Sequence, residues 1–569
     1  MTAIDPAETG RLQELATEAW DGFLSSQPVI ATALGDRRFD DRLSPNGPGA
    51  DEATAERIDA LLRRVRAIDA TVLSDADRVT RDALVDFLGF DLNLAESRIG
   101  EWSVDPIEGP QVALLNIPSV QSTRDRAEAE ALVARWREMG DWVDRHVATS
   151  RDALRRGVGA PAALARSVGA ELDDLLARPT ENWPLLEPAS HLPDDLSAAD
   201  RDGLAAAIGE AVATGVRPAF ERYRAFLADE LGPVARGDDR PGLSHLPGGA
   251  EAYARLVRAH TTLDLGPEEI HRIGLEETAR IDDEFAELGS RVFGTADRAA
   301  VRTRLRTDPA MQFASPEEVL AVAEASLARA NGAIAGWFGR LPRAECIVVE
   351  MGEHEALHST VAYYLGPAAD RSRPGSYYIN TLEPATQPRY EAEVLAFHEA
   401  VPGHHLQIAI AQELDHLPAF RRLGGPTAYI EGWGLYSERL SEEMGLLSGE
   451  TDRFGVLSYD AYRACRLVVD TGLHALGWSR DRAIAFLVDH TALAEGNIVN
   501  EVDRYLAMPG QALAYKLGQL ELLRLRERAD AALGPAFDIR AFHDVVLGQG
   551  AVGLKTLARV VEEWSTRQQ

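Results

Sequence analysis

The sequence predicts a mainly α-helical protein with one small β-sheet. Segments rich in Ala, Leu, Glu and Arg recur along the 569 residues and are separated by Pro and Gly, as expected for helices joined by loops. The chain is 45% hydrophobic, which is enough for a large core. Its length permits roughly two to four lobes.

Two loop-rich stretches, residues 178–197 and 232–249, separate blocks of predicted helix. We therefore expect an amino-terminal helical lobe over residues 1–240 and a second lobe over residues 241–569, unless the two form one continuous domain. The second lobe is expected to carry the sheet and the functional site.

Local signals place individual elements within the second lobe. Helices are expected to begin at Gly266-Pro267 and at Ser315-Pro316, because Pro suits a first helical turn and Ser315 can form a capping box with Glu318. Strands are expected between residues 345 and 381, where β-branched and aromatic residues cluster.

The composition excludes some classes of partner. Fifty-nine basic and ninety acidic residues give a formal net charge of −31, which repels nucleic acid and anionic membranes. The two cysteines, Cys346 and Cys465, imply no disulfide framework. The amino terminus lacks the pattern of a signal peptide and no stretch has the length of a membrane span, so a cytoplasmic location is expected. The oligomeric state stays open.

The most informative segment is Phe397-His398-Glu399-Ala400-Val401-Pro402-Gly403-His404-His405. Two neutral imidazoles together with a carboxylate form a ligand set that holds catalytic zinc (Zn2+) and leaves one position open. Glu399, beside the first histidine, is placed to accept a proton from an attacking water. The segment therefore predicts metal-assisted hydrolysis.

The spacing of the histidines requires a break in the helix. His398 and His404 are six residues apart, and an unbroken helix would point them about 120° apart. A bulge or kink at Pro402-Gly403 would bring the imidazoles together. His405 is the alternative second ligand, but in an unbroken helix it would lie about 10 Å along the axis from His398, too far for one ion.

A literal HExxH motif, His354-Glu355-Ala356-Leu357-His358, is a rival metal site, with Glu383 as its third ligand. That motif works on a helix, whereas its flanks are strand-like and Gly352 interrupts them. Glu383 precedes a proline, which favours an extended conformation. The alternative interpretation is two surface histidines in a hairpin.

Several runs together point to a family. They are FHEAVPGHHLQ at residues 397–407, EGWGLYSE at 431–438, RPGSYYINT at 373–381 and HTTLDLGPEEIH at 260–271. The chain resembles, over nearly its whole length, the bacterial family called domain of unknown function 885. That family is regarded as similar to helical zinc oligopeptidases (gluzincin-like), such as thimet oligopeptidase and angiotensin-converting enzyme. The resemblance implies peptidase activity and a large, two-lobed, metallopeptidase-like fold with the small sheet beside the active-site cleft.

In those relatives a glutamate on a second helix completes the metal site, and another glutamate seven residues later lies behind it. Glu431 and Glu438 have this separation, which is nearly two helical turns and places both on one face. The resemblance thus implies Glu431 as the third ligand and Glu438 as the residue that orients a ligand histidine. Gly432 and Trp433 favour a packed interior over two solvated carboxylates.

Two further regions supply candidate substrate-binding and catalytic groups. Residues 373–381 are expected to form an edge strand beside the cleft, with Tyr378 and Asn380 contacting an extended peptide. An ordinary sheet edge is the alternative. Later in the chain, Tyr515 and His474 are the expected donors to a developing oxyanion, as in the related oligopeptidases.

The same late region contains polar side chains that can bind substrate. Gln511 and Arg463 are candidates, and Arg463 with Arg466 can hold a carboxylate. We expect a zinc peptidase that acts on short peptides. A metal-dependent hydrolase of another amide or ester and a non-catalytic helical binding protein are the alternatives.

Overall fold

The structure is a computed structural model that describes residues 4–352, 356, 360–368 and 373–569. Over these residues the protein is mainly α-helical with one small sheet, as predicted. The helices before the sheet are α1 (Pro6–Ser26), α2 (Pro28–Ala33), α3 (Ala50–Arg66), α4 (Asp75–Ser97), α5 (Ile99–Trp102), α6 (Pro110–Ala113), α7 (Arg126–Arg155), α8 (Ala162–Ala177), α9 (Ala198–Glu210), α10 (Arg217–Phe226), α11 (Gly249–Thr261), α12 (Pro267–Phe293), α13 (Arg298–Thr307) and α14 (Pro316–Ala333). The helices after the sheet are α15 (Ala392–Glu399), α16 (His404–Gln412), α17 (Ala419–Arg422), α18 (Thr427–Glu443), α19 (Arg453–His474), α20 (Arg480–His490), α21 (Glu495–Ala507), α22 (Leu513–Leu533), α23 (Ile539–Leu547) and α24 (Leu554–Gln568). Within the described ranges, none of the helices is long and apolar enough to cross a membrane.

Two predicted helix starts are confirmed. α12 begins at Pro267, and α14 begins at Pro316, where the Ser315 hydroxyl accepts a hydrogen bond from the Glu318 N–H at 3.3 Å. The Glu318 carboxylate accepts from the N–H of Ala314 at 2.9 Å, one residue earlier than in a standard capping box.

The sheet lies within the predicted range. Its strands are β1 (Cys346–Glu350), β2 (Ala362–Leu365) and β3 (Gly375–Ile379), in the order β1-β3-β2. β3 pairs in parallel with β1 and antiparallel with β2, so that Tyr377 lies opposite both Val348 and Tyr364. The prediction of an edge strand at residues 373–381 is therefore wrong. Both backbone edges of β3 are paired, which leaves it no free edge for a peptide.

Two large hydrophobic cores hold the helices together. The first combines α1, α3 and α4 with the sheet, α15 and the last helices, and includes Leu12, Leu84, Phe397 and Trp433. The second packs α7, α8 and α10 against α19 and α21. Residues near the start of the chain thus share a core with residues near its end, while the division at residue 240 stays a prediction.

A close helix crossing positions the elements around the candidate site. A Cβ on Gly432 of α18 would lie 2.5 Å from the Cα of Gly518 on α22, and a Cβ on Gly518 would collide with the Ala428 carbonyl oxygen. Both positions therefore need glycine. α15 contacts α18, α19 and β2, so these helices and the sheet surround the histidine segment.

Candidate metal centre

A break between α15 and α16 brings the two histidines together. α15 ends at Glu399 and α16 begins at His404, with a turn between them that contains Pro402-Gly403. A Cβ on Gly403 would collide with the His398 carbonyl oxygen, so the turn needs glycine. The rings of His398 and His404 lie 4.6 Å apart between centroids, with their planes at 85°. The break thus makes neighbours of two residues that a continuous helix would separate.

Glu431, on α18, completes a group of three possible metal ligands. Its Oε2 lies 3.7 Å from Nε2 of His398 and 3.5 Å from Nε2 of His404, and the three ligand atoms all lie within 4.8 Å of one another. Tetrahedral donors about 2.0–2.1 Å from one zinc ion lie about 3.4 Å apart, so these spacings fit zinc. They exceed ordinary hydrogen-bond lengths. The Glu431 side chain is 21% exposed, so the group is open on one side.

Charge within this group favours ionised Glu431. Burial alone would raise the pKa of its carboxyl, but the close imidazoles of His398 and His404 hold that pKa well below the usual range. The carboxylate form required of a metal ligand is therefore the form present at neutral pH.

Glu438 lies behind His398. Its Oε1 is 2.7 Å from Nδ1 of His398, and its side chain is 1% exposed. Because Nδ1 donates to this carboxylate, the lone pair of the neutral His398 ring is on Nε2, which lies 3.7 Å from Glu431. Burial lowers the pKa of His398, but the contacts with Glu431 and Glu438 outweigh it and raise the pKa to about 9 in the absence of metal.

Other residues of α18 fix the break and the histidine. Trp433 donates a hydrogen bond from Nε1 to the Pro402 carbonyl at 3.0 Å, and the Ser437 hydroxyl donates to the Phe397 carbonyl at 3.1 Å. A Cβ on Gly434 would lie 2.6 Å from Cε1 of His398. The sequence EGWGLYSE thus packs directly against the histidine turn, and Gly434 leaves room for the imidazole.

His405 has a different environment from His404. The Tyr364 hydroxyl lies 2.8 Å from its Nδ1, and the Ala344 carbonyl accepts from its Nε2 at 3.1 Å. Since both ring nitrogens are engaged, His405 connects α16 to the sheet. His404 is the histidine placed beside His398 and Glu431.

The rival HExxH motif falls in the segment between β1 and β2. His354, Glu355 and His358 lie outside the described residues. Glu383, its proposed third ligand, is exposed and has a left-handed backbone conformation with φ of 53° before Pro384. The extended conformation expected for Glu383 is not observed.

Glu399 is the last residue of α15 and follows a ligand candidate. Burial raises the pKa of its carboxyl, while the neighbouring charges of His398 and His404 oppose that rise. Glu399 is thus close enough to the three candidate ligands for their charges to act on its carboxyl, which makes it the candidate for a general base.

Tyr515, on α22, lies at the same site. Burial and the charge of Glu431 raise the pKa of its hydroxyl. The guanidinium carbon of Arg466 lies 4.4 Å from the centre of the Tyr515 ring, and that of Arg463 lies 6.0 Å away. Arg463 also lies 4.0 Å from Glu438. Gln511 is held nearby by Arg504, whose Nη1 donates to its Oε1 at 2.7 Å.

His474 is not brought to this group, so its expected role as a donor is corrected. The Leu243 N–H donates to its Nδ1 at 3.3 Å, and its Nε2 lies 3.0 Å from the Tyr505 carbonyl. It is 1% exposed. It also lies eleven residues after Arg463 on α19, which is about 16 Å along the helix axis. Its ring is a buried structural element.

Tyr378 and Asn380 make local contacts in and beside the sheet, and their expected contact with a peptide stays a prediction. The Asn380 amide donates to the Ala356 carbonyl at 2.8 Å and its Oδ1 accepts from the Leu382 N–H at 2.9 Å, so the amide holds the local chain. Tyr378 stacks on Tyr363 with ring centroids 4.8 Å apart. Neither side chain contacts the histidine group.

The adjacent Tyr377 is the residue that sequence reasoning missed. It is fully buried, and its hydroxyl has no hydrogen-bond partner among the described residues. Burial and the nearby charge of Glu399 raise its pKa well above the usual range. Successive strand residues point to opposite faces, so Tyr377 and Tyr378 face different neighbours, but the sequence alone does not say which of them lies near Glu399.

The fold and site define a helical protein with a His-His-Glu group, open to solvent at Glu431, that fits a metal ion. The chain belongs to the family described as bacterial protein of unknown function (DUF885), which matches residues 28–561. No curated protein matches it.

Two solved structures resemble the whole chain. A protein from Colwellia psychrerythraea, described as a "putative lipoprotein", has a TM-score of 0.90 and 27% identity and covers 98% of this chain and 99% of its own. A protein from Shewanella oneidensis, described as a "putative lipoprotein of unknown function", has a TM-score of 0.75 and 15% identity, with 97% and 99% covered. At 15% identity, the similarity to the Shewanella oneidensis protein shows a shared fold and nothing more.

Proposed function

We propose that this protein is a zinc-dependent hydrolase that cleaves short peptides, with His398, His404 and Glu431 as the zinc ligands. The observation that carries the proposal is the convergence of three ligand atoms within 4.8 Å. Two imidazoles and one carboxylate leave a coordination position free, which is typical of catalytic zinc sites. The two-lobed, metallopeptidase-like form of the fold belongs to the same proposal.

Each residue then has a defined task. Bound Zn2+ supplies a Lewis acid that activates water near neutral pH. Glu399 accepts the proton of the attacking water and passes it to the leaving amine, and its raised pKa suits a group that must both take and release a proton. Glu438 fixes the tautomer of His398. Tyr515 donates a hydrogen bond to the developing oxyanion.

A peptide is the proposed substrate because the family resembles helical oligopeptidases. The same residues would also hydrolyse a non-peptide amide or ester, so substrate assays must separate these activities. The cytoplasmic location stays a prediction, and the description of the two structural relatives as lipoproteins weighs against it.

Elemental analysis and a peptide assay test the proposal together. We expect about one zinc per chain, and loss of zinc in His398→Ala and His404→Ala. The matched controls are His354→Ala and His358→Ala, which should keep the metal. The reverse pattern would transfer the site to the literal HExxH motif. A zinc-loaded protein that cleaves esters but no member of a peptide library would refute the peptidase assignment.

A further inference from the structure

Two buried arginines of α19 lie beside Tyr515. The guanidinium carbon of Arg463 lies 4.3 Å from the centre of the Tyr459 ring, and that of Arg466 lies 4.2 Å from the Tyr462 ring and 4.4 Å from the Tyr515 ring. The two arginines are 8% and 5% exposed, respectively. Tyrosine rings surround them, and such rings stabilise a cation without neutralising it.

The charge of Arg463 is balanced by the candidate metal centre. Nη2 of Arg463 lies 4.0 Å from Oε1 of Glu438. The positive charge of Arg463 also lowers the pKa of the Glu399 carboxyl, against the rise caused by burial. If one Zn2+ were held there, its two positive charges and that of Arg463 would balance the three carboxylates Glu399, Glu431 and Glu438. Arg463 therefore has a partner in charge, although its Nε and Nη1 make no hydrogen bond to any described residue.

Arg466 has no such balance. It shares the carboxylate of Glu501 with Arg504. Oε2 of Glu501 lies 3.3 Å from Nη2 of Arg466 and 2.9 Å from Nη2 of Arg504. Its other partners are neutral hydroxyls, those of Tyr462 at 2.7 Å and Tyr505 at 3.2 Å. Among the described residues, Glu501 is the one carboxylate that forms an ion pair with Arg466 or with Arg504. Two cations thus share a single anion.

One nitrogen of Arg466 is also unused. Its Nη1 is buried and makes no hydrogen bond to any described residue. A buried guanidinium N–H without a partner is unfavourable, and a carboxylate is the partner that suits it best. Tyr515 is partly exposed, and the side chains of Glu501 and Glu431 are 23% and 21% exposed. The residues around Arg466 are thus in part exposed to solvent, and Tyr515, which stacks on Arg466, also lies close enough to Glu431 for the charge of Glu431 to raise its pKa.

We infer that Arg466 binds a carboxylate of the substrate, so that this protein acts on short peptides that carry a negative charge near the bond to be cut. The inference rests on the proposed function, since it assigns a substrate class to the same site. The net charge of −31 does not oppose it, because the two cations that share Glu501 produce a local positive field. The carboxylate is either the carboxyl terminus or an acidic side chain of the peptide.

Calorimetric binding tests this inference without turnover. The protein is zinc-loaded Glu399→Gln, and the probes are the tripeptide Ala-Ala-Phe and its carboxyl-terminal amide. We expect the free acid to bind roughly tenfold or more tightly, as a charge-assisted hydrogen bond should provide. A second pair, Ala-Ala-Asp-amide and Ala-Ala-Asn-amide, shows whether a side-chain carboxylate serves instead.

Substitution of Arg466 identifies the binding group. Arg466→Met, added to the same chain, should abolish the preference for the acid and leave binding of the amide unchanged, whereas Arg466→Lys should keep part of the preference. The matched control is Arg421→Met, since Arg421 is also buried but bonds to Thr80 and to the Gln549 carbonyl. It should keep the preference. Melting temperature and zinc content are measured for each variant.

Equal binding of acid and amide in both probe pairs would overturn the inference, even if Arg466→Met fails to fold. A preference that persists in Arg466→Met would also overturn it. If the acid preference is present and depends on Arg466, but the protein with intact Glu399 hydrolyses no peptide, the carboxylate site stands and the proposed function fails.

Discussion

Replacing Glu438 by Gln tests whether the residue behind His398 sets zinc affinity. The carboxylate accepts from Nδ1 of His398 at 2.7 Å and is 1% exposed, so the hydrogen bond is short, charged and shielded from water. Hydrogen bonds to ions are about twice as strong as neutral ones, a difference of about 1–1.5 kcal/mol. Glu438→Gln should therefore weaken zinc binding about tenfold, and Glu438→Ala up to about a hundredfold.

Competition with a zinc chelator measures this affinity directly. The control is Glu442→Gln, one turn later on α18, because Glu442 pairs with Arg453 and its side chain is 32% exposed. Its zinc affinity should not change. An unchanged affinity in Glu438→Gln would refute the reasoning, and an equal loss in both variants would show that the effect comes from general disturbance of α18.

The remaining predictions concern catalysis and pH. Glu399→Gln should retain zinc and melting temperature but lose hydrolysis, and near wild-type activity would exclude it as the base. Tyr515→Phe should lower kcat about a hundredfold with little change in KM, and unchanged turnover would make Tyr515 a packing residue. Burial raises the pKa of Asp470 to about 7, against hydrogen bonds from the Tyr253 hydroxyl and the Gly510 N–H. Between about pH 4 and pH 7 the folded chain therefore holds a proton that the unfolded chain has lost, so this stabilisation is complete below about pH 4 and is lost as the pH rises through 7. Asp470→Asn lacks this dependence. The melting temperature of the variant minus that of the wild-type protein should therefore rise between pH 5 and pH 8. A difference that stays constant over this range would contradict the assignment.

Sequence reasoning succeeded where the signal is local. The starts of α12 and α14 follow from residues within one helical turn, and the sheet follows from a short β-branched and aromatic cluster. Strand order is not local. β3 lies between β1 and β2 because of pairing with residues from two other segments, and no pattern within residues 373–381 distinguishes a central strand from an edge strand.

The error at His474 has a related cause. α19 is buried from Phe454 to His474, so no polar stripe marks the face that meets the site. Arg463 faces the site, while His474 bonds to the main chain elsewhere. Both are polar residues of one buried helix, so the sequence does not show which of them reaches the site. In β3, Tyr377 and Tyr378 have the same chemistry and opposite directions. Their roles depend on which neighbour covers each face.

The geometry of the histidine pair depends on packing between helices. In a helical HExxH motif the pitch places two histidines on one face, whereas His398 and His404 belong to different helices. Their relation is therefore set by what holds the turn: Gly403 permits it, and Trp433 bonds to it from α18. α18 also supplies Glu431, so the same helix that fixes the turn provides the third ligand atom. A sequence pattern limited to one segment would miss this site, because the histidine turn and EGWGLYSE form the group only together.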